Sequence, residues 1–153
     1  MYMDGQDEMQ RAWLAINQLV SDFAYSIDME NGERTAELFT EDGWYESDNR
    51  RSTGREAIRE AYRRRAARGP RTSRHIFTNL RIERLDESAY RGTALLLLFA
   101  EDGYPPARAH PLLVADVHDI YLINGSTARL RSRRLDSIFA AESSVPVLPL
   151  GET

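Results

Sequence analysis

The sequence predicts an α+β fold, in which three N-terminal helices cover one face of a strongly curved, cone-shaped antiparallel sheet in the order α-α-β-α-β-β-β-β. Three observations carry this. Apolar residues recur every three to four positions along the first part of the chain and every two positions after residue 70. The β-like segments are joined by short, turn-rich links, and a parallel crossover would need roughly a dozen residues or more. The 153 residues, 42% of them hydrophobic, suit one domain with a real core.

Taken in order, residues 7–29 read as a long amphipathic helix, with Trp13, Ile16, Leu19, Val20, Phe23 and Ile27 on one stripe. Asn31-Gly32 stops it with ordinary C-terminal chemistry. Residues 33–39 (ERTAELF) form a short second helix, 44–47 a short strand, and SDNRRST a loop. Residues 54–68 are the third helix, with Ala57, Ile58, Ala61 and Tyr62 inward and Gly69-Pro70 closing it. Four strands follow at about 72–85, 90–100, 112–123 and 127–139, linked by Asp86-Glu87-Ser88, by Glu101-Asp102-Gly103 with Pro105-Pro106, and by Asn124-Gly125. The tail, 141–153, holds Pro146 and Pro149 and reads as irregular. TALLLLFA is apolar on both alternating faces, so the uncovered side of the sheet predicts a homodimer through it.

Composition narrows the chemistry. The chain has no cysteine, which excludes thiolate nucleophiles, disulfides and Cys-ligated metals. All 20 basic residues are arginine, which excludes a Schiff-base lysine and a Walker-type P-loop. Net charge is −4, so no global field draws the chain to phosphate backbones. The arginine-rich run from Arg59 through Arg63, Arg64, Arg65, Arg68 and Arg71 to Arg74 is interleaved with Glu56 and Glu60 and reads as a solvated face, not a nucleic-acid site. MYMDGQDEMQ lacks the pattern of a secretory signal and the longest apolar run is too short to span a bilayer, so a cytoplasmic protein without membrane contact is expected.

Of the three histidines, His75 lies inside the first long strand, where a period of two places Ser73, Phe77 and Asn79 on its face. Asp28 stands near the C-terminus of the first helix, where the dipole disfavours a carboxylate, with Tyr25 beside it. A partner is needed there. A histidine on the covered sheet would be fixed in one tautomer by that carboxylate and serve as a general base near neutral pH. Leu113, Ala115 and Val117 form the alternate, apolar face of their strand and predict a cavity wall. Asp116 and His118 then fall on the opposite side, and no third ligand has metal-site spacing.

The string from Tyr25 through Asp28 to Leu38-Phe39 and Asp42-Gly43, then Gly54-Arg55-Glu56-Ala57-Ile58, resembles the SnoaL-like branch of the nuclear-transport-factor-like superfamily. Arg74-His75 with Thr78-Asn79-Leu80, and Arg129-Leu130 followed by Arg133, continue the likeness over roughly residues 9–139. The nearest patterns are scytalone dehydratase and hexachlorocyclohexane dehydrochlorinase. The resemblance implies a cofactor-independent acid/base enzyme, a dehydratase, cyclase or isomerase of secondary metabolism such as antibiotic biosynthesis. Its substrate would be small, hydrophobic and polyketide-like, held in an apolar pocket. Carried over by position, the catalytic residues are His75, Asp28, Tyr45 and Arg133, with Tyr25, Asn79, Phe77, Leu113 and Val117 binding substrate. Two departures stand out: TALLLLFA lacks the dehydratase's second histidine, and Ala128 replaces the usual tryptophan before the last strand's arginine. A non-catalytic small-molecule-binding module and the small subunit of a ring-hydroxylating dioxygenase are the other functions such a fold allows.

Overall fold

In the computed structural model, which describes residues 5–141, the first apolar stripe forms one helix, α1 (Gly5–Glu30), burying Ala12, Ile16, Leu19, Val20 and Phe23. It ends as the sequence predicts. Asn31 and Gly32 take φ of 54° and 77°, and the Gly32 N–H donates to the Ser26 carbonyl at 2.8 Å, so a left-handed pair closes the helix. A side chain on Gly32 would run into the Tyr62 ring, so this turn is also fitted against the second helix.

The expected helix over 33–39 is only a 3-10 turn, Thr35–Leu38. Two helices, not three, therefore cover the sheet among the described residues. The reason is Phe39, which already belongs to strand β1 (Phe39–Ser47) and pairs in parallel with Leu130. The segment read as a loop holds strand β2 (Arg50–Thr53), turned back on β1 through Asp48 and Asn49, both at positive φ. Helix α2 (Arg55–Ala67) follows. The four long strands are β3 (Arg71–Arg84), β4 (Ala89–Asp102), β5 (Leu113–Asn124) and β6 (Thr127–Ala140).

The six strands form one curved, unclosed sheet in the order β2-β1-β6-β5-β4-β3, antiparallel except where β1 meets β6. Helix α1 packs across β3, β5 and β6, and α2 against β1 and the 3-10 turn. Leu96, Leu98, Leu113, Ala115, Val117, Leu130 and Leu135 meet α1 on the inner face. On the outer face Leu95, Leu97, Phe99, Val114 and Ile120 remain half-buried, with no helix over them among the described residues. No helix among the described residues is long and apolar enough to cross a membrane. The irregular tail expected from residue 141 lies, beyond Ala141, outside the described residues.

The centre of the concave side is not uniformly apolar. An extra residue in β6 (Ile120 faces Ser132, yet Tyr121 faces Leu130) shifts the alternation, so that Arg133 follows Leu130 onto the inner face. Fully buried, Arg133 donates from Nε and Nη2 to Asp119 at 2.9 and 2.7 Å, and the Tyr121 hydroxyl donates to the same carboxylate at 2.5 Å. The guanidinium lies 4.2 Å over the Phe23 ring and 4.6 Å over Phe77. Burial alone would lower its pKa, but Asp119 outweighs burial and holds it above the ordinary arginine value.

Removing one member of such a pair leaves a buried, uncompensated charge. Arg133→Met is expected to cost about 3–5 kcal/mol in urea unfolding. Replacing both groups, with Asp119→Leu added, should recover much of that loss; an equal loss in the double variant would show that the two do not act as a unit.

Candidate active site

Asp28 occupies the last turn of α1, which carries no basic residue, and its carboxylate is placed against the negative end of the helix dipole. Strand β3 supplies the compensation. Oδ1 accepts from the Ser73 hydroxyl at 2.7 Å and from His75 Nδ1 at 2.7 Å, and Oδ2 accepts from the His75 backbone N–H at 2.8 Å. Burial pushes the Asp28 carboxyl up, but the hydrogen bond and charge of His75, its backbone N–H and Ser73 together hold it below the ordinary aspartate value. The Asp28 and His75 side chains are only 7% and 5% exposed, so water competes little for these bonds.

An ionised carboxylate can only accept, so the proton on this bond sits on His75 Nδ1 and the ring's lone pair falls on Nε2. His75 lines a narrow cavity of about 50 Å³ together with Ile27, Tyr62, Ser73, Leu98 and Ala100, and with Arg65 and Arg71. The expected apolar pocket is thus apolar only in part. Phe23, Phe39, Tyr45, Phe77 and Arg133 fill the interior beneath it, and the walls that remain mix apolar and cationic groups.

The structure brings some of the sequence-predicted residues to this cavity and not others. Phe77 stacks on the His75 ring with centroids 6.5 Å apart and planes 16° apart. Tyr45, 1% exposed, stands one layer deeper, edge-on to Phe23 and opposite Arg133 across the β1–β6 pairing. Arg133 is beyond Phe77, committed to Asp119. Leu113 and Val117 are inner-face core residues that do not line the cavity. Tyr25 is 54% exposed and does not line the cavity, but it shares a surface groove between α1 and β3 with Asp28, His75 and Phe77. Asn79 does not share the His75 face. A bulge sets Asn79 and Leu80 between the pairs Thr78–Leu95 and Arg81–Thr93, Asn79 takes φ 57°, and the strict alternation that linked it to His75 breaks there. Asp116 and His118 lie on the outer face, where His118 Nε2 is 3.2 Å from Asp136.

Three cavity residues were not singled out from the sequence for a role in the site. Tyr62, read as packing, is buried with its hydroxyl unpartnered. Burial, then the neighbouring Tyr45, raises its pKa well above the ordinary tyrosine value. Arg65 and Arg71, read as part of a solvated run, turn inward, with side chains 13% and 14% exposed. The signal was present. Ile58, Ala61, Tyr62 and Arg65 follow the i, i+3, i+4, i+7 spacing of one helix face, and Arg71, Ser73 and His75 the period of one strand face. The other arginines of the run do face solvent: Arg59 pairs with Glu37 and Glu56, and Arg64 with Glu60.

Comparison with known proteins adds a family. The model of the SnoaL-like domain matches residues 10–134. No curated protein matches the chain in sequence. Among solved structures, a protein of unknown function from Mycobacterium tuberculosis is similar at 27% identity and TM-score 0.77, over 96% of this chain and 84% of that one. A candidate scytalone dehydratase from Novosphingobium aromaticivorans shares the fold at 20% identity and TM-score 0.79, over 97% and 99%. The β subunit of a candidate aromatic-ring-hydroxylating dioxygenase from the same organism shares it at 16% identity and TM-score 0.75, over 90% and 95%.

A carboxyl held below its unfolded value adds stability that is fully present above that value and lost as pH falls through the folded one. Asp28→Asn should therefore be less stable than the parent near neutrality, with the two urea midpoints converging as pH falls below the ordinary aspartate range. A gap that stays constant across the acid range would remove the ionised carboxylate from the docking of α1 on β3.

Proposed function

Since this chain belongs to the SnoaL-like domain family, we propose that it is a cofactor-independent acid/base enzyme, a dehydratase, cyclase or isomerase, in which His75 moves the proton. The observation that carries this reading is the 2.7 Å bond from Asp28 to His75 Nδ1 in a cavity wall, which leaves Nε2 as the basic atom. Asp28 is then a positioning residue, and Ser73 fixes the same carboxylate oxygen.

For a dehydration, Nε2 removes a proton from the carbon next to a carbonyl. The electron pair of that C–H bond forms the new C=C bond, the C–O bond beyond it breaks, and the departing oxygen takes the proton back from Nε2 as water leaves. One imidazole serves both transfers, because β4 offers no second histidine. In an isomerisation the same proton returns to a different carbon. Tyr62 is assigned as the hydroxyl that donates to the substrate oxygen where charge develops, since it lines the cavity and lacks a partner. Tyr45 and Arg133 stand behind it and hold it in place.

Two further features belong to this reading. The substrate is small, in keeping with the narrow cavity, with an apolar body against Ile27, Leu98 and Ala100. The bare outer face of β4 and β5 supports a homodimer through the sheet. Leu97→Glu is expected to convert a dimer to monomers in sedimentation equilibrium; an unchanged mass would discard that interface.

His75→Ala and Asp28→Asn should each lower turnover about a hundredfold or more on any substrate found, the scale of lost general acid–base catalysis. Ser73→Ala should cost only severalfold. Full activity in both dyad variants would leave a binding module as the better reading, and co-purification with a larger metal-bearing chain would favour a dioxygenase subunit.

A further inference from the structure

The mouth of the His75 cavity carries more positive charge than the fold requires. Arg65 closes the inner stripe of α2 and Arg71 opens the inner face of β3, and both line the cavity with His75. One carboxylate serves the pair. Asp102 Oδ1 accepts from Arg65 Nη2 at 2.8 Å and lies 3.7 Å from Arg71 Nη1, beyond hydrogen-bond range. Arg65 Nη1 reaches the Gly69 carbonyl only at 3.5 Å, and its Nε is buried with no partner. Arg71 donates no hydrogen bond to any described residue, although its side chain is 14% exposed.

A guanidinium out of water with unused donors is costly unless something accepts from it. Other buried arginines also keep an idle nitrogen, Nη1 of Arg133 and Nε of Arg55, but each has a carboxylate of its own: Asp119 for Arg133, and Glu41 with the Phe39 carbonyl for Arg55. Arg65 and Arg71 instead share a single carboxylate, and both line the cavity with His75. Burial, then Arg65, lowers the Arg71 pKa from the ordinary arginine value, which marks the repulsion that an anion there would relieve.

We propose that Arg65 and Arg71 form an anion-recognition site at the cavity mouth, and that the ligand acted on by His75 carries a carboxylate. Two guanidiniums against one aspartate leave a single net positive charge, which matches a monoanion and not a phosphate dianion. A planar carboxylate also fits the forked donors of arginine. The site rests on the reading of this cavity as the substrate pocket, and it refines the substrate from a neutral hydrophobic molecule to a small organic acid. The acid group is held between α2 and β3, and the carbon to be deprotonated is turned toward His75.

The test uses benzoate as the anion and benzamide as its neutral isostere, each titrated into the full-length protein and followed by backbone and Arg Nε–Hε NMR shifts. Benzoate is expected to bind about tenfold tighter than benzamide or better, the scale of a charge-assisted hydrogen bond, and to shift the Arg65 Nε–Hε resonance. Arg71→Gln should remove that preference. Asp102→Asn, at an exposed position that frees both guanidiniums, should tighten benzoate severalfold, so a gain is read even if the Arg71 variant folds poorly. Equal binding of the two compounds, no binding of either, shifts confined to other arginines, or inorganic phosphate binding more tightly than benzoate would each overturn the site. Benzoate is a ligand and needs no turnover. Loss of activity in His75→Ala therefore tests the general base, and benzoate affinity tests the anion site, each without the other.

Discussion

A carboxylate at the wrong end of a helix organises this molecule. Asp28 stands in the last turn of α1, where the peptide dipoles oppose a negative charge, and three donors from one short stretch of β3 reverse that penalty. One of those donors is the backbone of His75 and another is its ring. The bond that docks the helix on the sheet is therefore the same bond that orients the imidazole. Packing and chemistry are not separate here: the turn at Asn31 and Gly32 that ends α1 just past Asp28 is fitted against Tyr62, and Tyr62 and His75 line the same cavity.

Beneath the cavity lies a second polar layer with a different character. Arg133, Asp119 and Tyr121 are fully enclosed and face one another, with Phe23 and Phe77 stacked on the guanidinium. Such a triad is expensive to desolvate and is held by its mutual geometry, so it serves as a rigid floor. The upper layer is less complete: Tyr62 has no partner, Arg71 no hydrogen bond and Arg65 an idle Nε, against one idle nitrogen, Nη1 of Arg133, in the layer below. Unused donors in a native interior signal a missing acceptor, and those of the upper layer belong to residues that line the cavity.

The family accommodates several reactions on one scaffold, and the structural neighbours, which share the fold at low identity, do not choose among them. What distinguishes this chain is local. It has a single histidine where a dehydratase-like pattern would have two, and a cavity that is narrow and cationic at its mouth. Both features underlie the proposal of a small substrate served by one base.

The sequence by itself determined the two long helices, the four long strands to within two residues, the end of α1, and the need of Asp28 for a partner on the sheet, because periodicity, turn chemistry and an unfavourably placed charge are local signals. It also held, unread, the inward spacing of Arg65 behind Tyr62 and of Arg71 before Ser73. Tertiary structure alone decided the rest. The short second helix became a 3-10 turn because β1 begins early to pair with β6. Asn79 left the His75 face, and Arg133 reached the interior, because each follows a bulge, and one inserted residue reverses every later side chain on a strand. Cavity size likewise depends on how five large side chains from four separate elements meet, a sum over distant contacts that no local pattern records.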